Sequence, residues 1–325
     1  MKSIRVLFLC SVLMVVFSGL LQAQVTYSEA LLQKAKSGDA DAQCILGFCY
    51  FEGKGVVQDK KEAVRWIRLA TEQGDASAQY VLGTCYESGE GVIQNKKEAV
   101  KWYRLAAEQG YADAQYNLGQ MYDTGEGVVQ DKKEAVKWYR LGADQGYAPA
   151  QSNLGHMYEN GEGVIQDYKE AVKWYRLAAK QGEAVAQSNL GTMYYNGEGV
   201  IQNDKEAVRW FRLAANQGIA NAQHNLGYMY SRGEGVLQND KEAVRWFRLA
   251  ANQGYASAQY NLGLMYGKGE GVIQDYREAY FWFLIAATNG EDNAKQSREI
   301  VVKKLSTQQK EQIQARAKKW FNEHN

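Results

Sequence analysis

Proline and histidine are scarce in this chain, and its positive and negative charges nearly balance. A single proline in 325 residues suits a mostly helical protein, because proline removes a helix hydrogen bond. The three histidines, His156, His224 and His324, show no spacing typical of metal ligands. The formal net charge of +1 lacks the basic excess expected of a nucleic-acid-binding protein, so we predict no nucleic-acid partner.

Catalytic motifs are missing as well. The sequence has no phosphate-cradling G-x-x-x-x-G-K-[ST] string and no S-x-x-K string that would supply a serine nucleophile. Its G-x-G doublets recur at one position of a repeat, which favours a structural loop over a cofactor site. We therefore expect a non-enzymatic protein with no catalytic residue, no cofactor and no bound metal.

What the chain does contain is self-similarity, because a block of 36 residues recurs seven times. Every block has leucine at its fifth position, glycine at its sixth, tyrosine at its ninth and tryptophan at its twenty-fifth. A fixed period of this kind predicts a stack of helical hairpins in which neighbouring units bury one another's apolar faces. The fold class expected is therefore all-α.

One block shows the physical logic of the hairpin. Its first helix has an apolar face formed by Ala78, Leu82, Cys85 and Tyr86. Gly83 removes a side chain where the second helix approaches closely. Asn95 and Glu98 have the spacing of a capping box that begins the second helix, and Gly110 ends that helix. We expect Trp102 to lie where one hairpin meets the next.

These residues carry a family resemblance. The L-G-x-x-Y string of the first helix resembles the tetratricopeptide repeat, whose period is two residues shorter. With the strings G-x-G-V-x-Q-[DN] and E-A-V-x-W-[YF]-R-L-A-A-x-Q-G, the chain is similar to the Sel1-like repeat family, in its exported bacterial form, over residues 42–293. The resemblance implies a right-handed α-solenoid superhelix that serves as a scaffold or adaptor, with its first helices lining a concave face.

The predicted organisation places helical caps at both ends of the array. The segments are a signal peptide (1–23), an N-terminal capping helix (24–41), seven repeats (42–77, 78–113, 114–149, 150–185, 186–221, 222–257 and 258–293) and C-terminal capping helices (294–325). In the seventh repeat, Tyr280, Phe281 and Leu284 replace residues that are mostly polar elsewhere. We expect the C-terminal helices to cover them; an exposed dimerisation patch is the alternative.

The amino terminus has the features of a secretory signal. Lys2 and Arg5 precede an apolar run, and Ala23 offers a small residue for cleavage. The alternative is a membrane anchor, but the run of 16 residues is shorter than the roughly 20 needed to span a bilayer. We expect a periplasmic or secreted chain with no stable membrane insertion after cleavage. Cys49 and Cys85 hold equivalent repeat positions and are expected to be buried thiols rather than a disulfide.

The candidate binding residues are those that vary while the scaffold stays constant. They lie on one face of the first helices, together with an adjoining column of asparagines. These candidates are Tyr80, Tyr116, Asn117, Gln120, Asn153, His156, Asn189, Thr192, Asn225, Tyr228, Tyr260, Asn261 and Leu264. Amides are suited to hydrogen-bond the backbone of an extended peptide, and tyrosines to offer flat apolar contact. For the asparagines, the alternative is that they join neighbouring repeats or meet solvent.

We therefore expect a non-enzymatic scaffold that binds a protein or peptide of unknown identity. Two alternatives stay open. One is an envelope enzyme acting weakly on β-lactams or peptidoglycan, since some secreted Sel1-like proteins have been linked with penicillin binding. The other is a structural spacer with no ligand.

Overall fold

The computed structural model describes residues 26–324, so the predicted signal peptide and cleavage point lie outside the described residues. Within that range the regular elements are seventeen α-helices and one short 3-10 helix. The fold is an all-α repeat solenoid, which confirms the predicted class. The chain forms two compact units that divide after Gln166.

The first unit contains one short helix and then the first and second helices of successive repeats. Its helices are α1 (Glu29–Lys36), α2 (Ala40–Glu52), α3 (Lys60–Glu72), α4 (Ala76–Ser88), α5 (Lys96–Glu108), α6 (Ala112–Thr124), α7 (Lys132–Asp144) and α8 (Ala148–Asn160). From α2 onward, even-numbered helices are the first helices of repeats. Each begins two residues before the repeat start used in the sequence register.

The second unit continues the same alternation and ends in two further helices. Its elements are α9 (Tyr168–Lys180), α10 (Ala184–Asn196), α11 (Asp204–Asn216), α12 (Ala220–Arg232), α13 (Asp240–Asn252), α14 (Ala256–Lys268), α15 (Tyr276–Thr288), α16 (Asp292–Val301), a 3-10 helix (Val302–Lys304) and α17 (Thr307–His324).

The loop inside each hairpin is held by its own backbone and by one side chain. Gly91 has a φ of +72°, and a Cβ there would lie 2.2 Å from the carbonyl oxygen of Lys60, so only glycine fits. The Asn95 side chain accepts from the backbone N–H of Glu98 at 3.2 Å. The return bond of a full capping box is not made, because the Asn95 N–H donates to the carbonyl oxygen of Tyr86 at 2.8 Å. The prediction of this pair is therefore half right.

The two helices of a hairpin meet at the invariant glycine. A Cβ on Gly83 would lie 2.6 Å from the ring of Tyr103, which confirms the predicted close approach. The tryptophans reach the preceding hairpin: Trp246 packs in one apolar cluster with Phe211 of the hairpin before it and with Leu226 of its own hairpin. This position between hairpins matches the prediction made for the tryptophans.

A buried glutamine joins successive hairpins, and the sequence pattern did not reveal it. The Gln115 amide on α6 donates to the carbonyl oxygen of Ala107 on α5 at 3.1 Å. Its oxygen accepts from Gln145 at the end of α7 at 2.7 Å. Gln223 makes the same pair of bonds in the second unit. The seam satisfies buried polar atoms and fixes how three helices meet.

The last helix covers the apolar residues of the seventh repeat. Phe281 is 1% exposed, with the guanidinium of Arg316 on α17 3.9 Å from its ring centroid. Trp320 of α17 meets Trp282 edge-on at 6.4 Å between ring centroids. At the other end of the array, α1 places Ala35 in a cluster with Ala42 and Leu46.

The three described cysteines are free thiols. Cys49 and Cys85 are fully buried, and burial raises the pKa of the Cys85 thiol to about 12. This agrees with the prediction of buried thiols at these two positions. Cys44, by contrast, is partly exposed.

Candidate functional site

The variable positions of the first helices lie beside the packing positions but keep more of their surface. The invariant leucines, such as Leu118 and Leu226, are 0% exposed. Of the thirteen predicted site residues, His156 is exposed and eleven are half-buried. The face of the first helices that carries these thirteen residues is called the first-helix face below.

Tyr80 is the exception, because its side chain is covered and offers little surface to a partner. It is 2% exposed, with its ring 5.8 Å from that of Tyr103 and 5.2 Å from that of Tyr111. Tyr111 immediately precedes α6, the first helix of the next hairpin. The residues of α4 alone therefore give no sign that this tyrosine is covered.

The asparagine column serves partly to join helices. The Asn117 amide hydrogen-bonds the hydroxyl of Tyr103, and Asn153 does the same to Tyr139, in each case on the preceding second helix. Asn261 instead lies 3.0 Å from Nε2 of His224 in the preceding repeat. The alternative weighed for this column, that it joins neighbouring repeats, describes these three residues.

The other predicted residues make mostly local contacts. The Gln120 amide donates to the Tyr116 hydroxyl at 2.9 Å, and the Thr192 hydroxyl donates to the carbonyl oxygen of Ser188 at 3.3 Å. Asn225 donates to the side chain of Asn221 at 3.2 Å. His156 is paired with Asn160 on its own helix, and Asn189 is half-buried on α10.

The second unit presents a more apolar version of the same face. Tyr228, Tyr260 and Leu264 are half-buried and pack against its core. Arg232 donates to the Tyr228 hydroxyl at 3.3 Å, and the Tyr195 hydroxyl donates to Glu234 at 3.2 Å. The structure thus brings Tyr228 and Leu264 to the surface as aromatic and aliphatic contacts.

In the first unit the same face carries carboxylates held by buried tyrosines. The Tyr103 hydroxyl donates to Glu87 at 2.6 Å, and the Tyr139 hydroxyl donates to Asp123 at 3.3 Å. Burial, followed by the charge of Glu87, raises the pKa of Tyr103. The sequence analysis missed these pairs, although a signal exists. At the repeat position of Tyr103, a tyrosine occurs only where an acid stands sixteen residues earlier. Phenylalanine occupies that position where the earlier residue is not an acid: Phe211 follows Tyr195, Phe247 follows Ser231 and Phe283 follows Gly267.

A second surface lies on the hairpin loops. Each repeat displays one aliphatic side chain at 85–91% exposure: Val57, Ile93, Val129, Ile165, Ile201, Leu237 and Ile273. The loops are ordered, since the Gln94 amide donates to the carbonyl oxygen of Glu87 at 2.8 Å. Shallow depressions lie beside Ile93 and Ile273. Nothing in the core requires these side chains to be apolar.

Across residues 26–324, no three His, Cys, Asp or Glu side chains gather closely enough to hold a metal ion. No helix in that range has both the length and the apolar character to cross a bilayer.

The helical hairpins, their apolar joints and the varied first-helix face define a helical-repeat protein of the tetratricopeptide-like class. The Sel1 repeat model matches residues 40–75, 76–111, 112–147, 148–183, 184–219, 220–255 and 256–291. The chain belongs to the Sel1 repeat family, whose fold is generally a non-enzymatic scaffold for protein interaction.

A solved structure agrees with this assignment. A Sel1 repeat protein from Oxalobacter formigenes is 35% identical with a TM-score of 0.67, over 82% of this chain and 78% of that one. A protective antigen present in uropathogenic Escherichia coli strains, which displays the same repeat fold, is 33% identical over 90% of this chain and 79% of its own, with a TM-score of 0.44. The comparison with curated proteins found no match.

Proposed function

We propose that this protein is an exported, non-enzymatic adaptor that binds a protein or peptide partner through its first-helix face. One observation supports this above the others. Apart from the asparagine column and the buried Tyr80, side chains on that face differ from repeat to repeat and keep accessible surface, whereas packing positions beside them, such as the leucines, are constant and fully buried. Variation that packing does not require is expected where a surface recognises something else.

The chemistry of the face suits an extended polypeptide. Tyrosines such as Tyr116 and Tyr260 offer large contact areas at small cost in side-chain entropy. Gln120 and Asn189 add amides that both donate and accept hydrogen bonds, as a peptide backbone requires. Small ligands prefer enclosed concave sites, and the two depressions noted above are shallow.

Site-specific photo-crosslinking tests this proposal. A photoreactive residue at Gln120, on the first-helix face, is compared with one at Lys137, which is exposed on the second helix α7. Crosslinking in intact cells is followed by mass spectrometry of the adducts. We expect discrete adducts from position 120 and none of them from position 137. Identical adduct patterns, or none from position 120, would refute the proposal.

Export is part of the proposal and has its own test. Cleavage after Ala23 gives a mature chain that begins with Gln24, found by N-terminal sequencing of the periplasmic or secreted fraction. Retention of Met1 in a membrane fraction would favour an anchor.

The two alternatives predict different outcomes. An envelope hydrolase would turn over nitrocefin or muropeptides and lose that activity through one substitution. A spacer would capture its neighbours equally well after Tyr116 and Tyr260 are both changed to alanine.

A further inference from the structure

Five residues of the first unit form a tyrosine–aspartate cluster: Tyr80, Tyr111, Asp113, Tyr116 and Tyr147. The rings of Tyr80 and Tyr111 lie 5.2 Å apart, and those of Tyr116 and Tyr147 lie 5.6 Å apart. The Tyr147 hydroxyl hydrogen-bonds the Asp113 carboxylate, which links the two ring pairs. All members except Tyr80 keep part of their surface accessible.

The carboxylate in this cluster lacks a positive partner. Asp113 is half-buried, and no lysine or arginine among residues 26–324 forms an ion pair with it. Burial raises the pKa of Asp113, which means that keeping its carboxylate charged costs the folded protein free energy. The Tyr147 hydroxyl satisfies part of the hydrogen bonding of this carboxylate, but no lysine or arginine of residues 26–324 neutralises its charge, so the site offers that charge to a cation from outside.

The tyrosines at the start of these helices do not serve helix stability. The N-cap residues of the first helices α2 and α4 are Asp39 and Asp75, whose carboxylates accept backbone N–H groups at 2.8 and 2.6 Å. In α6 and α8 the corresponding residues are Tyr111 and Tyr147, and neither side chain caps its helix. Losing such a cap typically costs a helix about 1 kcal/mol. The rings of Tyr111 and Tyr147 instead contact Tyr80 and Tyr116 and leave part of their own surface accessible.

We propose that the tyrosine–aspartate cluster binds the cationic end of an arginine or lysine side chain of the protein or peptide partner. Aromatic faces attract cations through their quadrupole, and the carboxylate supplies the full opposite charge. The site sits on the first-helix face, beside Gln120, which bonds to Tyr116. This inference rests on the proposed function, because it names the chemistry of one anchor of that partner.

Binding of a single residue tests the site without knowledge of the partner. N-acetyl-L-arginine amide and its neutral isostere, N-acetyl-L-citrulline amide, are titrated against the full mature chain labelled with 13C at tyrosine. We expect the signals of Tyr111 and Tyr147 to shift and saturate with the arginine compound only. Equal shifts with the citrulline compound, or no saturation, would overturn the site.

Substitution provides the matched control. Asp113→Asn should weaken arginine binding by about tenfold or more, because a charge-assisted contact is lost. Asp41→Asn alters the same position of α2, where the side chain is exposed, and should leave binding unchanged. Since Asp113 holds its charge at a cost, its asparagine variant should melt no lower than the Asp41 variant. Equal binding by the two variants, or unfolding of Asp113→Asn alone, contradicts the proposal.

The crosslinking experiment separates the two proposals. If position 120 captures a partner equally in the Asp113→Asn and Asp41→Asn backgrounds, the cation site is wrong and the adaptor function stands. If position 120 captures nothing in the otherwise unaltered chain, the adaptor function is wrong, and the titration alone judges the cation site.

Discussion

Replacing Tyr103 by phenylalanine tests whether the buried tyrosines and surface acids of the first unit act as pairs. The Tyr103 side chain is fully buried, and its hydroxyl donates to Glu87 at 2.6 Å. Hydrogen bonds to charged groups contribute about 1.5–3 kcal/mol to stability. Glu87 is only half-buried, so water can replace the lost donor. We therefore expect Tyr103→Phe to cost about 1.5 kcal/mol, at the low end of that range.

A double-mutant cycle requires a second change, which replaces the acid Glu87. Glu87→Ser combined with Tyr103→Phe reproduces the pair that the chain already has at Ser231 and Phe247. In the Glu87→Ser background the loss of the hydroxyl should cost less, which gives a coupling free energy of at least about 1 kcal/mol. The bond from Asn117 to the hydroxyl is lost in both arms, so it cancels.

Urea denaturation of the four proteins, followed by far-ultraviolet circular dichroism, measures the free energies of unfolding. The reading requires equal slopes of free energy against urea in all four proteins, so that the cooperativity of the array is unchanged. A coupling free energy below about 0.3 kcal/mol would show that the Tyr103–Glu87 hydrogen bond does not stabilise the fold, and it would refute the reasoning.

Five further changes test other parts of the structure by the same denaturation assay, the last of them as a function of pH. Gly83→Ala should destabilise by about 1–3 kcal/mol, because its Cβ would meet a ring at 2.6 Å. Gly267→Ala, where the nearest atom is 3.7 Å away, should stabilise by up to about 1 kcal/mol, and equal effects of these two changes would contradict the packing. Ile93→Ser should change stability by less than about 0.5 kcal/mol, since the side chain is 91% exposed; a larger loss would place it in the core. Trp174→Ala should cost about 3–5 kcal/mol, because the side chain is 6% exposed and its loss leaves a cavity. An unchanged unfolding curve would contradict the packing of Trp174 between hairpins. Burial lowers the pKa of His224, so its contribution to stability is complete above pH 6.5 or so and declines as the pH falls towards the folded value. His224→Ser should remove this slope, and a slope that survives would assign it to other groups.

The sequence predicted the elements of the fold well because the repeat reports them directly. A position that is constant in seven copies, such as the glycine at 83, must satisfy the same contact seven times. The capping asparagine at 95 and the turn glycine at 110 follow from local chemistry that acts within a few residues. Local rules of this kind need no knowledge of the neighbouring repeat.

The candidate site was harder to predict because the exposure of its residues depends on side chains that other helices supply. Tyr80 is covered by Tyr111, a residue that is aspartate in the equivalent place of the preceding repeat. The Asn117 amide already makes one hydrogen bond, because the second helix before it carries Tyr103 where other repeats have a phenylalanine. Periodicity finds which positions vary, but the accessibility of each depends on combinations across a joint.

Charge at the start of the second helices shows why recognition can vary while the fold does not. Lys60 pairs with Glu90 at 3.1 Å and Lys132 with Glu162 at 2.8 Å, each reaching the next repeat. In the second unit the same position carries Asp204, which opposes rather than neutralises the following loop glutamate. Half-exposed ion pairs of this type contribute only about 0–1 kcal/mol, so reversing the sign costs the scaffold little. The two units therefore carry different charges at this position while they share one architecture.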